Sequence, residues 1–430
     1  MTKIFREPFV FQLFCFWVLA LPFFRISLVG TLSVDNILTP VIFFLWVFAV
    51  VMGLVKLGLN SKLPYLLIIT LLFMFSLAGD FLGGPASIMN ELGQLLKWFA
   101  YLLLPILCIQ NERQFELASK VVVLSTVIVC CSAILDSLGI FSLSFLDVAD
   151  RSGDIRLELS KGNKSAIGAL KRSAGLVGEF GTMALLVAFT ISTIFFANKE
   201  KLAELGFKSS KFWSILIAFS LLLGAIAAQS RNVVISSFIV VLMSVCLSFI
   251  LEKKGSKAVI ALLLFAFLGF VVTVIVIYNS VLIYNAVLGE GSMKASGDAR
   301  IDQYAWAFEL VKDSLFFGVD AAKKAMNAEE IAAIHNLWLY QLVSNGVIGL
   351  IPLLILFIKL VSDTFKLTRF PNFKQRAKNI FGMTLAMMLA VSFYAAQGSL
   401  MFWFFLGLLI AFNTSLRNKR RVSYQTTKSV

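Results

Sequence analysis

One histidine, His335, serves a chain of 430 residues. A single imidazole supplies no zinc or iron ligand set. The five cysteines (Cys15, Cys108, Cys130, Cys131 and Cys246) all lie in apolar runs. They read as small buried hydrophobes, with no disulfide framework. No Asp/Glu cluster of the kind that holds a hard cation stands out, so neither metal nor other cofactor is expected. Charge is scarce as well. Asp, Glu, Lys and Arg make up 14% of the chain, against about 25% in soluble proteins. The hydrophobic fraction is 59%, which excludes a soluble globular domain. What charge there is sums to +14. No basic soluble domain exists to turn that excess into a nucleic-acid surface. Nucleotide-sugar motifs, tandem repeats and low-complexity tracts are likewise missing.

What is present is a series of long apolar runs. A membrane-crossing helix takes roughly 20 mostly apolar residues. Twelve stretches qualify: about 8–28, 37–56, 62–80, 94–110, 119–140, 177–197, 212–230, 232–251, 257–279, 336–359, 379–396 and 399–416. The last two are parted by a tight polar turn at Gln397-Gly398. The first follows Lys3 and Arg6 as a signal peptide would. It has no small-residue cleavage site and many spans after it, so it is expected to be retained. The expected fold is an all-α integral membrane protein of about 12 transmembrane helices with two long extracytoplasmic loops. Its divisions are an N-terminal set of five helices (1–140), a first outer loop (141–176), helices six to nine (177–279), a large outer loop (280–335), helices ten to twelve (336–416) and a basic tail (417–430).

Counting basic residues orients the chain. With the N-terminus inside and strict alternation, the inner segments hold 24 of the 38 Lys and Arg residues. Both termini then fall in the cytoplasm of a bacterial inner membrane. The other fourteen collect on the outer side. Six lie in the first outer loop, five in the second, and Arg231 sits in the turn between spans seven and eight. Positive charge kept on the outer face opposes the sorting rule, and an anionic substrate arriving there would account for it.

In the second loop Ile301, Tyr304, Phe308, Val311 and Leu315 recur at three and four residues. This predicts one helix of about 15 residues with that stripe buried, stopped by Phe316-Phe317-Gly318. The Ala-, Lys- and Glu-rich stretch from Ala321 to Ala333 favours a second helix. Together they predict a helical hairpin on the outer membrane surface. The polar, basic residues after Asn413 are expected to be disordered.

Chemistry concentrates at the outer ends of spans. Ser230-Arg231 opens span eight with no loop before it, and arginine there is costly unless it snorkels or is used. A guanidinium suits a phosphate because its forked donors match the oxygens. Arg172 precedes span six, followed by Gly175, which lets the backbone pack closely or approach a ligand. Glu179 lies two turns deeper, set either to pair with an arginine or to accept a proton. Arg300 begins the loop helix, where free backbone N–H groups add to its pull on an anion. His335 precedes Trp338, Leu342, Asn345 and Gly349 at helical spacing, so it caps the water end of a buried helix. Several arginines, one carboxylate and one histidine on one face fit glycosyl transfer from a lipid-linked pyrophosphate sugar. Arginines stabilise the leaving pyrophosphate without a metal, and a histidine near neutral pKa takes the acceptor's proton.

These residues resemble the bacterial O-antigen ligase and O-antigen polymerase superfamily. The likeness rests on Ser230-Arg231, Arg172-x-x-Gly175, Arg300 through Gly318, His335-Asn336 with Gly346-x-x-Gly349, and the looser Arg151-x10-Gly162. It implies a metal-independent, inverting membrane glycosyltransferase of the C-type helical class. Its substrate would be an undecaprenyl-pyrophosphate-linked oligosaccharide, handled among membrane lipids on the periplasmic side. It also implies pathway partners, a chain-length regulator and a flippase, and no nucleic acid. By this resemblance Arg172, Arg231, Arg300 and Arg151 bind the pyrophosphate. His335, or Glu179, acts as base or positions the acceptor, and Ser230, Asn336, Gly175, Gly346 and Gly349 support them. The long basic first loop favours a polymerase joining two lipid-linked units. The alternative is a ligase acting on lipid A–core. A flippase for the same lipid-linked sugar is a further alternative, although transport predicts internal symmetry and midplane charges that the sequence does not display.

Overall fold

The computed structural model describes residues 7–24, 26–29, 32–53, 59–82, 88–140, 173, 175–177, 180–196, 210–228, 304–312, 315–319, 336–370, 374–391 and 400–428. Within them the chain is helical apart from one small hairpin. The long helices are α1 (Phe9–Ala20), α2 (Val34–Val51), α3 (Leu59–Leu82), α4 (Ile88–Cys108), α5 (Glu112–Ser137), α6 (Phe180–Phe196), α7 (Ser210–Ala228), α8 (Leu337–Thr368), α9 (Lys374–Ala390) and α10 (Leu400–Lys428). Each overlaps one of the apolar runs expected to span. The runs 232–251 and 257–279 lie outside the described residues.

Among the described residues four stretches are long and apolar enough to cross a membrane outright: Val34–Val51, Glu112–Ser137, Leu337–Thr368 and Leu400–Arg417. Shorter apolar helices accompany them. Their exposed faces are as apolar as the core. On α2 the exposed positions are Ile37, Val41, Phe44, Phe48 and Val51, and on α3 Leu63, Leu67, Leu71 and Met74. That spacing marks one helix side each, a continuous apolar surface that water would not tolerate but lipid does.

α10 is the central helix. From Met401 to Phe412 every residue is buried, the pattern of a helix that is apolar all round. It lies close on α4, because Gly407 leaves no Cβ between the two backbones at Leu102 and Pro105. Trp98 stacks on Trp403, and Phe115 on Phe412 at 3.8 Å between ring centres.

Polar contacts gather at the two ends of the bundle. At one end Arg113 pairs with Glu7 at 3.0 Å, and Arg376 engages Glu112 and Glu116. Lys62, buried at the start of α3, caps α4 by donating to the Ile109 carbonyl (3.1 Å) and to Gln110 Oε1 (3.3 Å). A cation at those last carbonyls also suits the helix dipole. Buried Asp363 there accepts from Tyr65 (2.9 Å), Lys359 (3.0 Å) and Arg417 (2.7 Å), joining α3, α8 and α10. The starts of α1, α3, α5 and α9 therefore meet the ends of α4 and α8, as an antiparallel bundle requires. At the other end buried Asp35 accepts from Thr39 and Tyr101, both at 2.5 Å, and from Lys97 at 3.0 Å. Trp17 donates to Thr39 at 2.9 Å, tying α1 into the same network.

Several expectations are corrected. The first run, expected over 8–28, breaks at the 3-10 turn Leu21–Phe23, where Pro22 has no N–H to continue the ladder. The chain then forms a short antiparallel hairpin, Ser27–Val29 with Leu32–Ser33, and Ser33 caps α2. The tail expected to be disordered is helical to Lys428, for after Gly407 the sequence has neither glycine nor proline to stop it. Cys15, Cys108 and Cys130 are buried, but Cys131 is exposed on the outside of α5. Cys246 lies outside the described residues. In the second loop the helix is described over 304–312. Its buried face carries Ala307 and Leu310, while Phe308 is exposed, so the expected stripe is rotated. The segment Ala321–Ala333 lies outside the described residues.

Candidate functional site

The start of α8 is built by Asn336. Its side-chain oxygen accepts the Leu339 N–H at 3.0 Å, the usual duty of an N-cap asparagine. Nine residues on, the helix is interrupted. Gly346 has φ 64° and ψ −169°, a combination essentially restricted to glycine. The backbone groups freed by this break are taken up by the segment after the loop helix. The Val347 N–H donates to the Leu315 carbonyl at 2.9 Å, and Ile348 N–H to that of Phe316 at 3.3 Å. In return the Val319 N–H donates to the Val343 carbonyl at 2.7 Å.

A second glycine answers the first. Gly318 has φ 76°, and a Cβ there would come within 2.5 Å of the Ser344 carbonyl. A Cβ on Gly346 would overlap the Phe316 carbonyl in the same way. The two backbones touch because neither residue has a side chain. Beside the break, buried Asn345 donates to Ser76 Oγ on α3 at 3.5 Å. Gly349 makes room for it, since a Cβ at 349 would collide with the Asn345 side chain and sit 3.4 Å from Gln341 Nε2. Gln341 is buried too, so α8 carries two buried amides near its break.

A second constellation surrounds Gly175, which opens the 3-10 turn Gly175–Val177 with φ 64°. Ser132 of α5 donates to the Val129 carbonyl at 2.7 Å and accepts the Leu176 N–H at 3.0 Å. A Cβ at Gly175 would lie 2.5 Å from both the Ser132 hydroxyl and the Val129 carbonyl. The close approach expected of this glycine is therefore to α5. The Ser173 N–H donates to the Ala227 carbonyl at 3.0 Å. Below that bond, α7 packs on α5 where Gly224 faces Cys130. The chain immediately after Arg172 is thus bonded to the end of α7, four residues before Arg231.

Arg151, Arg172, Glu179, Ser230, Arg231, Arg300 and His335 lie outside the described residues. Of the supporting residues, Asn336 caps α8, while Gly346 and Gly349 lie at its break, ten and thirteen residues further on. Gly175 belongs to the separate α5–α7 junction. Sequence reasoning missed Ser132, Ser173 and the pairing of Gly318 with Gly346. Phe316-Phe317-Gly318 reads as a helix stop in sequence, and only the broken partner helix reveals what the stop is for. A serine at 132 within an apolar run was the one visible signal for Ser132.

Long apolar helices with lipid-suited faces, broken and tightened by glycine next to loop segments, define a multi-pass membrane protein. Residues 215–354, roughly a third of the chain, match the O-antigen ligase family. The match runs from within α7 to the middle of α8 and takes in the positions of Arg231, Arg300 and His335. This stretch thus carries the O-antigen ligase family match that marks a membrane glycosyltransferase of the ligase and polymerase kind; the family is bacterial, serves polysaccharide biosynthesis and implies lipid-linked glycan substrates. No curated protein matches the chain.

Proposed function

We propose that the protein polymerises undecaprenyl-pyrophosphate-linked oligosaccharide repeat units at the periplasmic face, by metal-independent inverting transfer. The observation that carries this reading is the hydrogen bond from Ser173 to Ala227. Arg172 is covalently next to Ser173, and Arg231 is four residues past Ala227, about 14 Å of extended chain at most. Two guanidinium groups anchored that closely suit the two phosphates of one leaving group. Arg300 and Arg151 are proposed as further pyrophosphate contacts, with Ser230 beside Arg231 in support. His335 adjoins the capped start of α8.

In this mechanism the acceptor hydroxyl attacks the donor's anomeric carbon from the face opposite the pyrophosphate. The C1–O bond to phosphate breaks, and its electron pair leaves with the lipid pyrophosphate. Arginine stabilises that charge as it grows. His335 takes the hydroxyl proton, with Glu179 either pairing to an arginine or sharing the proton. General-base and anion-stabilising groups each contribute on the order of 10²–10³-fold. Stably inserted His335→Ala and Arg231→Ala variants should therefore lose at least about 100-fold in chain extension.

The first outer loop, 141–176, carries six basic residues, as two pyrophosphate-linked substrates would require, and this favours the polymerase. The family description favours a second reading, a ligase that passes the finished glycan to lipid A–core. Deleting the gene and running the cell's polysaccharide on a gel separates them. Single repeat units still attached to core are expected here. Long lipid-linked chains that never reach the core would establish the ligase instead. Unchanged long chains with His335→Ala would sink the catalytic assignment.

A further inference from the structure

We propose that the described stretches 304–312 and 315–319 belong to a re-entrant wedge immersed in the bilayer, with Phe308, Leu315, Phe316 and Phe317 seated among lipid acyl chains. The segment follows α8 downward and returns. Ala307 and Leu310 pack around Val343, with Leu339 and Tyr340 beside them. Leu315 and Phe316 then bond to residues 347 and 348, and Val319 comes back to Val343.

Depth follows from helix geometry. Asp363, with Lys359 and Arg417 on it, marks the opposite membrane boundary of α8. From Val347 to Asp363 is 16 residues, about 24 Å of helix. A hydrocarbon core of about 30 Å then places the aromatic turn about 6 Å beneath the near surface. Irregular backbone survives at that depth only when its polar groups are satisfied, and three main-chain bonds into the break of α8 pair the Leu315 and Phe316 carbonyls and the Val319 N–H.

The side chains point the same way. Phe308, Leu315, Phe316 and Phe317 are 57%, 47%, 62% and 51% exposed. The turn bonds to α8 at 347 and 348, and the exposed residues Ile351, Leu354, Ile355 and Ile358 continue that side of the helix over the next three turns. The aromatic patch is thus continuous with a lipid-facing stripe, which identifies its occupant as acyl chains. Lys312 is exposed and paired to Glu309 at 2.6 Å, and an interfacial place for this pair would let the lysine reach the headgroups.

The test uses the full chain with a benzophenone-bearing phenylalanine at Phe316 or Phe317, in vesicles of phosphatidylethanolamine and phosphatidylglycerol. Ile355 gives the lipid-facing reference and Ser292, in the polar outer loop, the water-facing one. After irradiation, phospholipid adducts at 316 and 317 should come within about threefold of Ile355 and exceed Ser292 by about tenfold, since only immersed positions meet acyl chains. Adducts at the Ser292 level would overturn the proposal. Cross-links to the protein itself would do the same. So would adducts that form only after a long-chain polyprenyl phosphate is added, since the occupant would then be the substrate's tail. Each variant is read from a monodisperse preparation, and Phe308 supplies a third position if either substitution misfolds.

Discussion

An alanine at position 346 has no place for its β-carbon, because the Phe316 carbonyl already occupies it. Its backbone would also be held at φ 64° and ψ −169°, costing about 1–3 kcal/mol in strain alone. Gly53 offers the comparison, with a similar φ of 68° and nothing within 4 Å of an added Cβ. Gly346→Ala should lose about 3 kcal/mol or more, and Gly53→Ala about 1 kcal/mol. Thermal unfolding in detergent checks the ranking. Asp363 makes a different prediction. Removing it strands Lys359 and Arg417, which are partly exposed, so the loss should be about 2–4 kcal/mol, below the full cost of a stranded buried charge. Tyr65→Phe removes one hydrogen bond and should cost about 1 kcal/mol. Because Asp363 sits at the end of α8 away from Asn336, turnover per folded molecule should stay at wild-type level in both variants, measured as chain extension normalised to folded protein.

At the scale of elements, Asn336 separates two roles. As a cap it accepts one N–H, so Asn336→Asp and Asn336→Ser should retain both stability and activity, and Asn336→Ala should lose about 1 kcal/mol. Loss of activity in all three, with stability kept by Asp and Ser, would instead mean that the amide touches substrate. The elements themselves were largely legible. Long apolar runs announce helices because lipid and core reward the same residues, so α2 to α10 overlap their expected stretches. Breaks and phases were not legible. Gly346 permits the break in α8 and Pro352 follows six residues on, but neither shows that a segment thirty residues earlier bonds to the freed backbone. The loop helix was rotated for a related reason. In a membrane the larger apolar side chains can face outward, so Ala307 is buried and Phe308 is not. As for the candidate site, the sequence identified Gly175 as a place of close approach, and Gly346 and Gly349 only as supporting residues of the resembled motif. It did not reveal that Gly175 and Gly346 abut other backbones, or that Gly349 makes room for the Asn345 side chain.

For the whole molecule, direction across the membrane decides what the arginines can meet. The starts of α1, α3, α5 and α9 converge with the ends of α4 and α8, and this end holds the ion pairs of Arg113, Arg376, Lys359 and Arg417. Basic residues near short connections are retained in the cytoplasm, so this end is expected inside and Asn336 outside. Single cysteines at Ser152 and Ser292 should react with a membrane-impermeant maleimide added to intact cells stripped of their outer membrane. A cysteine at exposed Lys366, on the last turns of α8, should react only after permeabilisation. Cys131 lies on the apolar outside of α5 and should stay silent, because lipid excludes the charged reagent. Protection at 152 and 292 with labelling at 366 would invert the chain. His335 and the outer arginines would then face the cytoplasm, and a lipid-linked donor presented on the periplasmic side could not reach them.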